Sequence, residues 1–174
     1  RADGTIVDDL LVYRFADHLR LVINASNRDK DLAHLRAHIA GFECTMTDIS
    51  DSIALLAVQG PQAPALVASL SDVPLDGIKY YWFTEGQVAG VPCIISRTGY
   101  TGELGFELYF DASHAVAVWN AVMAAGAVTP AGLGCRDSLR LEAGMCLYGN
   151  ELDDRTTPIE AGLNWLLKLA KREP

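Results

Sequence analysis

Apolar and polar positions recur along the chain in two periods, and the changes of period mark its elements. Residues 5–15 alternate imperfectly and are rich in Ile, Val, Leu and Tyr, which predicts a strand interrupted by Asp8 and Asp9. Adjacent strand residues point to opposite faces, so at most one of these carboxylates can face the interior or a cleft. A turn at Ala16-Asp17 leads to a second strand over 18–23. Ser26 is then the predicted N-cap of a helix, with Asp29 at the capping-box position and Asp31 in the first turn. Leu32, Leu35, His38 and Ile39 mark its apolar face, and Gly41 stops it.

Residues 44–50 read as a short strand, Asp51-Ser52 as a turn and Ile53–Gln59 as a strand of nearly unbroken apolar residues. Gly60-Pro61 opens a helix carrying Ala63, Leu66, Val67 and Leu70. A loop over 71–77 follows, then four consecutive aromatics at 80–83, a strand signal assigned to core and rim. The chain turns through Gly90 into an apolar run at 91–95. Arg97-Thr98-Gly99-Tyr100-Thr101-Gly102-Glu103 then feeds a strand in which Phe106, Leu108 and Phe110 share one face and Glu107 and Tyr109 the other. That register holds Glu107 off the apolar face. It is either a solvated edge-strand side chain or a rigidly placed acceptor for a flat pair of ligand donors.

Asp111 caps a predicted helix over 113–125 with Val116, Trp119, Ala121 and Met123 on or near its apolar side. Another is predicted over 135–145, with Leu139, Leu141 and Met145 inward and Arg136, Arg140 and Glu142 outward or toward a cleft. The two arginines are i, i+4 and share a face, where Asp137 offers a structural ion pair. Thr157, with Glu160 three residues on, predicts the cap of a last helix. The pattern implies an α+β fold of mostly antiparallel sheets with flanking helices. A lobe boundary is expected near 48–77, at the turn over 48–51 or the loop over 71–77.

Half of the 174 residues are hydrophobic and the formal net charge is −8, which argues against a nucleic-acid partner; no Lys/Arg run supplies a basic footprint. No stretch approaches the roughly 18 apolar residues of a membrane span. No signal peptide is read ahead of the first strand, and the start without Met and the charged tail suggest a piece of a longer protein. Cys44, Cys93, Cys135 and Cys146 form no CxxC motif and read as free thiols in a reducing compartment. His34 and His38 lie i, i+4, but a solvated helix face is the simpler reading, and no metal is expected. GxxxxGK[ST], GxGxxG and GxSxG are all missing, so nucleotide hydrolysis, Rossmann binding and α/β-hydrolase chemistry lose their usual support.

The block from Gly132 to Asn150, GLGCRDSLRLEAGMCLYGN, followed by Thr156-Thr157-Pro158-Ile159-Glu160, resembles the hallmark of the glycine cleavage system T-protein (aminomethyltransferase) family. The 97–107 segment, the Asp8-Asp9 pair, Asn24-Ala25-Ser26-Asn27 with Lys30-Asp31, and Gln59-Gly60-Pro61 fit as well. Cys135 replaces a common Ala and Leu104 a common acidic residue. The similarity covers essentially all of residues 1–174 but only the central part of the family's folate-binding fold, so the resemblance implies that the family's N-terminal segment and C-terminal barrel lie outside these residues.

The resemblance implies transfer of a methylene carbon from the aminomethyl-lipoyl arm of the H-protein to tetrahydrofolate, the acceptor substrate, with release of ammonia. It implies that Asp9 is the catalytic carboxylate beside the folate nitrogens. Glu107 would accept from the pterin amino group and adjacent N–H, and Arg136 would meet an anionic or carbonyl oxygen. Tyr13 and Asn24 match positions lining the family's folate cavity, and Tyr100 a wall of it. Arg140 and Glu142 stay structural. The compartment would be bacterial cytoplasm or mitochondrial matrix. The alternatives are a folate-dependent demethylase, the folate-binding domain of a larger oxidase and a non-catalytic folate-binding module; the CLYGNELDDRTTP block favours the transferase.

Overall fold

A computed structural model describes residues 1–168. The charged tail falls outside the described residues. The chain forms two compact units, one of residues 1–46 with 146–174 and one of Thr47–Met145. The loop over 71–77 lies inside the second unit.

In the first unit, strands β1 (Leu11–Arg14) and β2 (Leu19–Val22) pair antiparallel, with Arg14 opposite Leu19. The hairpin closes through a hydrogen bond from the Phe15 N–H to the His18 carbonyl at 2.9 Å. Asp8 and Asp9, expected inside the first strand, precede it in irregular chain. Helix α1 (Arg28–His38) follows a 3₁₀ turn at Ala25–Asn27. Ser26 caps neither; Asn24 and Asn27 occupy the two N-cap positions without capping through their side chains, because their amides donate to the aspartates instead. Residues 44–49, expected as a strand, have no ladder partner. The Thr157 and Glu160 side chains do form their reciprocal cap, at 2.9 and 3.3 Å. No α-helix grows from it: Gly162 (φ +73°) breaks the chain after one turn, and a 3₁₀ turn at Asn164–Leu166 follows.

The second unit is built on a four-stranded antiparallel sheet. Its strands are β3 (Ile53–Gln59), β4 (Phe83–Val88), β5 (Val91–Ser96) and β6 (Gly105–Asp111), in the order β3-β6-β5-β4. Ala89 and Gly90, both at positive φ, make the two-residue turn between β4 and β5. Helices α2 (Ala63–Leu70) and α3 (Ala115–Ala124) cover one face, where Val67, Ile95, Leu108 and Val118 are wholly buried. Each such side chain contributes about 1.5–3 kcal/mol of burial. The helix α2 starts at Ala63, not at Gly60-Pro61, so the proline of its first turn is Pro64.

Three expectations fail here for one reason, that tertiary neighbours rather than local composition select the buried face. Tyr80, Tyr81 and Trp82 are exposed in a turn, and only Phe83 enters β4. Val118 and Val122 are the buried residues of α3, while Val116 is 73% exposed. On α4 (Leu133–Glu142), Leu141, expected inward, faces outward, and Arg140, expected outward or toward a cleft, is 3% exposed. Its Nε donates to Asp137 Oδ1 at 2.8 Å and its Nη1 to the Met145 carbonyl at 3.1 Å, so burial leaves no lone charge.

Candidate functional site

Because β6 runs between β3 and β5, Glu107 is not an edge residue; it is 9% exposed on the face opposite the helices. The register sets it against Ser96 of β5. Thr98, just beyond β5, donates its hydroxyl to Glu107 Oε2 at 2.5 Å, and the Tyr109 hydroxyl reaches the same oxygen at 3.1 Å. Both donors fall on Oε2, which leaves Oε1 to accept from a further partner. The carboxylate is thus held as an acceptor within a buried hydroxyl frame, the way a charge-assisted contact gains strength. Tyr81, at φ +64°, stands close enough that the Glu107 charge helps push its phenol above the usual range, after burial and Tyr80.

The glycine-rich turn before β6 is shaped by Gln59. Its Nε2 donates to the carbonyls of Thr98 and Phe106 at 3.2 and 3.1 Å. A Cβ on Gly99 would lie 2.0 Å from Gln59 Oε1, so only glycine lets the turn close over that amide. In the same unit a cavity of about 770 Å³ is lined by Gln59, Tyr100, Trp119, Met123, Cys135 and Arg136, among others. This is within the usual size for a small-molecule site. The Arg136 guanidinium lies over the Tyr100 ring at 4.6 Å, a cation–π stack that leaves its edge N–H groups for an oxygen acceptor. Glu107 is not part of this lining.

In the first unit one amide organises the acids. Asn24 Nδ2 donates to Asp8 Oδ1 at 3.0 Å, and to the Asp9 carbonyl and Asp9 Oδ1 at 3.1 Å. Asn27 Nδ2 also donates to Asp8 Oδ1, at 2.8 Å. Burial and then the Asp8 charge push the Asp9 carboxyl above its ordinary value, while Asn24 and Lys30 oppose the shift. The residue as a whole keeps solvent contact. Lys30 donates to the Val7 carbonyl and lies 3.5 Å from the Tyr148 ring centroid. Asp31 is 3% exposed, and its carboxyl is pushed up to about 7, first by burial and then by the neighbouring Asp8 carboxyl.

Of the six residues singled out from sequence, Asp9 and Asn24 are in direct contact in the first unit and Tyr100 and Arg136 in the second. Tyr13 is buried on β1 opposite Arg20. Sequence reasoning missed Thr98 and Tyr109 as the partners of Glu107, and Asn27 and Asp31 as those of the aspartate pair. Thr98 carried a signal, since a hydroxyl two residues past a strand paired with Glu107 can fold back onto it. Asp31 was taken for a helix-dipole residue, and nothing local distinguishes the two roles. All four cysteines are free thiols. Among the described residues no group of His, Cys, Asp and Glu could hold a metal, and no helix is long and apolar enough to cross a membrane.

A buried acceptor on a fixed sheet, a stacked arginine and an open cavity are set in an α+β fold. The chain belongs to the family of the GCVT N-terminal domain, whose model matches residues 1–171. It is 51% identical over 173 residues to the aminomethyltransferase of Chloroherpeton thalassium, covering 97% of this chain and 48% of that protein. It is 53% identical over 175 residues to the aminomethyltransferase of Streptomyces coelicolor, covering 98% and 47%. Among solved structures it resembles the glycine cleavage system aminomethyltransferase T of Bartonella henselae, with a TM-score of 0.86 and 39% identity over 97% of this chain and 45% of that one. The chain thus spans about half the length of the curated relatives it matches.

Proposed function

We propose that this chain is the central part of the folate-binding region of a tetrahydrofolate-dependent aminomethyltransferase of the glycine cleavage system. The observation that carries the reading is Glu107, a buried carboxylate with one oxygen anchored by two hydroxyls and the other left to accept. A pterin ring offers a flat amino and N–H pair to such an acceptor, at about 1.5–3 kcal/mol for the charge-assisted contact. The names of the relatives at about half identity support the transferase over a folate-dependent demethylase.

In the proposed reaction the folate nitrogen attacks the aminomethyl carbon carried by the lipoyl arm of the H-protein. Two bonds form from folate nitrogens to that carbon as its bonds to the amino nitrogen and to the lipoyl sulfur break; the two N–H protons end on ammonia and on the thiol, giving 5,10-methylenetetrahydrofolate, ammonia and the dihydrolipoyl arm. Asp9, held by Asn24, stabilises the positive charge that develops on the attacking nitrogen and takes up its proton. Arg136, fixed on Tyr100, receives a carbonyl or carboxylate oxygen of the folate. Tyr13 and Asn24 line the folate site, Asn24 by holding Asp9. The enzyme would work in a bacterial cytoplasm or mitochondrial matrix with a lipoylated H-protein as its partner.

The test is methylenetetrahydrofolate formation by the full-length protein with loaded H-protein, alongside Asp9→Asn and Glu107→Gln. Asp9→Asn should lower kcat by about 10²–10⁴ with little change in tetrahydrofolate affinity. Glu107→Gln should weaken tetrahydrofolate binding by about 10-fold or more. Full activity in both variants, or no tetrahydrofolate binding by the wild type in calorimetry, refutes the reading.

A further inference from the structure

The buried acid at position 31 is unexplained by any of the roles above. Both Asp31 oxygens and Asp8 Oδ2 are shielded from solvent and have no hydrogen-bond donor. Three shielded carboxylate oxygens without a donor cannot all belong to ionised groups, because an unpaired buried charge is too costly. Lys30 does not serve them as a hydrogen-bond donor; its ammonium is turned to the Val7 carbonyl and the Tyr148 ring. The charged groups acting on Asp31 are Asp8, Lys30 and Asp9.

We propose that Asp31 is a positioning residue that keeps a proton and donates it to Asp8 Oδ2, so that the Asp8 side chain is held against Asn24 and through it orients Asp9. The relay runs through contacts of known length from there on: Asp8 Oδ1 accepts from Asn24 at 3.0 Å and from Asn27 at 2.8 Å, and the same Asn24 amide reaches Asp9 Oδ1 at 3.1 Å. One proton shared between a buried carboxyl and a shielded oxygen of its half-buried neighbour is the arrangement that like charges at short range enforce. The upward shift of the Asp31 carboxyl to about 7 agrees with it. If the proton were lost, three negative charges would face one ammonium, and Asp8 would be driven away from the pair of amides. The link from Asp9 to catalysis rests on the function proposed above; the shared proton does not.

The experiment is a ¹³C titration of carboxyl-labelled aspartates in the full-length protein, with Asp31→Asn, Asp31→Ala and Asp9→Asn for assignment, followed by kinetics of each Asp31 variant. The wild type should show one aspartyl carboxyl that stays protonated to near neutral pH and is missing from Asp31→Asn. Asp31→Ala should raise the midpoint of Asp9 and lower kcat about 10-fold, with KM for tetrahydrofolate little changed. Asp31→Asn, which supplies an N–H donor in the same shape, should restore most of that loss. An Asp31 carboxyl that titrates below about pH 5 overturns the proposal. So does an Asp31→Ala protein that is less stable but has an unmoved Asp9 midpoint. Should Asp31→Ala not fold, the wild-type and Asp31→Asn titrations still decide. If the wild type transfers no methylene group, the functional reading fails, and the titration alone judges the shared proton.

Discussion

Replacing Thr98 with Val removes one hydroxyl from Glu107 and almost no volume. Thr98 Oγ1 lies 2.5 Å from Glu107 Oε2 and 3.0 Å from Ser96 Oγ. One hydroxyl proton cannot serve both; the carboxylate takes it, and Ser96 donates to Thr98 in turn. Thr98 is 4% and Glu107 9% exposed, so water does not replace the lost donor. What remains on that oxygen is the Tyr109 hydroxyl at 3.1 Å, a longer and weaker contact. A hydrogen bond to a charged group contributes about 1.5–3 kcal/mol, and an under-solvated buried acceptor keeps the cost near the top of that range. At about 2–4 °C per kcal/mol for a protein of this size, Thr98→Val should melt about 6–12 °C lower. Urea and thermal unfolding monitored by circular dichroism would measure it, with Thr98→Ser as the control that returns the donor. A Val variant within about 0.5 kcal/mol of wild type, or a Ser variant no better than Val, refutes the assignment of that hydroxyl as the main support of Glu107.

Gly99→Ala should destabilise by about 1–3 kcal/mol, because its Cβ would lie 2.0 Å from an amide oxygen whose group is tied to two carbonyls; an unchanged urea midpoint would contradict this. Stability should fall as pH rises from about 4 to about 7: Asp31 carries its proton in the fold up to about 7 but loses it near 3.8 when unfolded, so the native state binds more protons across that window. Thermal melts of Asp31→Asn over the same range should lose that component, and identical pH slopes in the two proteins would argue against it. Iodoacetamide labelling read by mass spectrometry should modify Cys44 and Cys135 first and Cys93 last, since Cys93 is 6% exposed and burial pushes its thiol up to about 12. Early labelling of Cys93 would show that its strand opens far more readily than its packing implies.

The sequence by itself determined the elements whose periodicity is long or whose turn chemistry is strict. Ile53–Gln59, the β4–β5 turn through Gly90 and the alternation from Phe106 to Phe110 were legible, because a short apolar run, a period-2 alternation or a positive-φ turn leaves the backbone little choice. The same alternation placed Glu107 off the apolar face. It could not tell an edge from a centre, because strand order depends on pairings between residues distant in sequence. Tertiary structure alone decided that Tyr80 to Trp82 face solvent, that Arg140 and not Leu141 is buried on α4, and that Asn24 and Asn27 serve aspartates rather than cap helices. The acceptors of the two amides lie across the β1–β2 hairpin, while Arg140 completes its bonds on Asp137 of its own helix and the Met145 carbonyl just beyond it. A buried charge or an amide settles wherever its hydrogen bonds are completed, and the apolar–polar pattern does not specify where that is. Asp31 shows this most plainly: four residues past an N-cap it reads as a dipole acid, and only its burial beside Asp8 turns it into a carboxyl that keeps its proton.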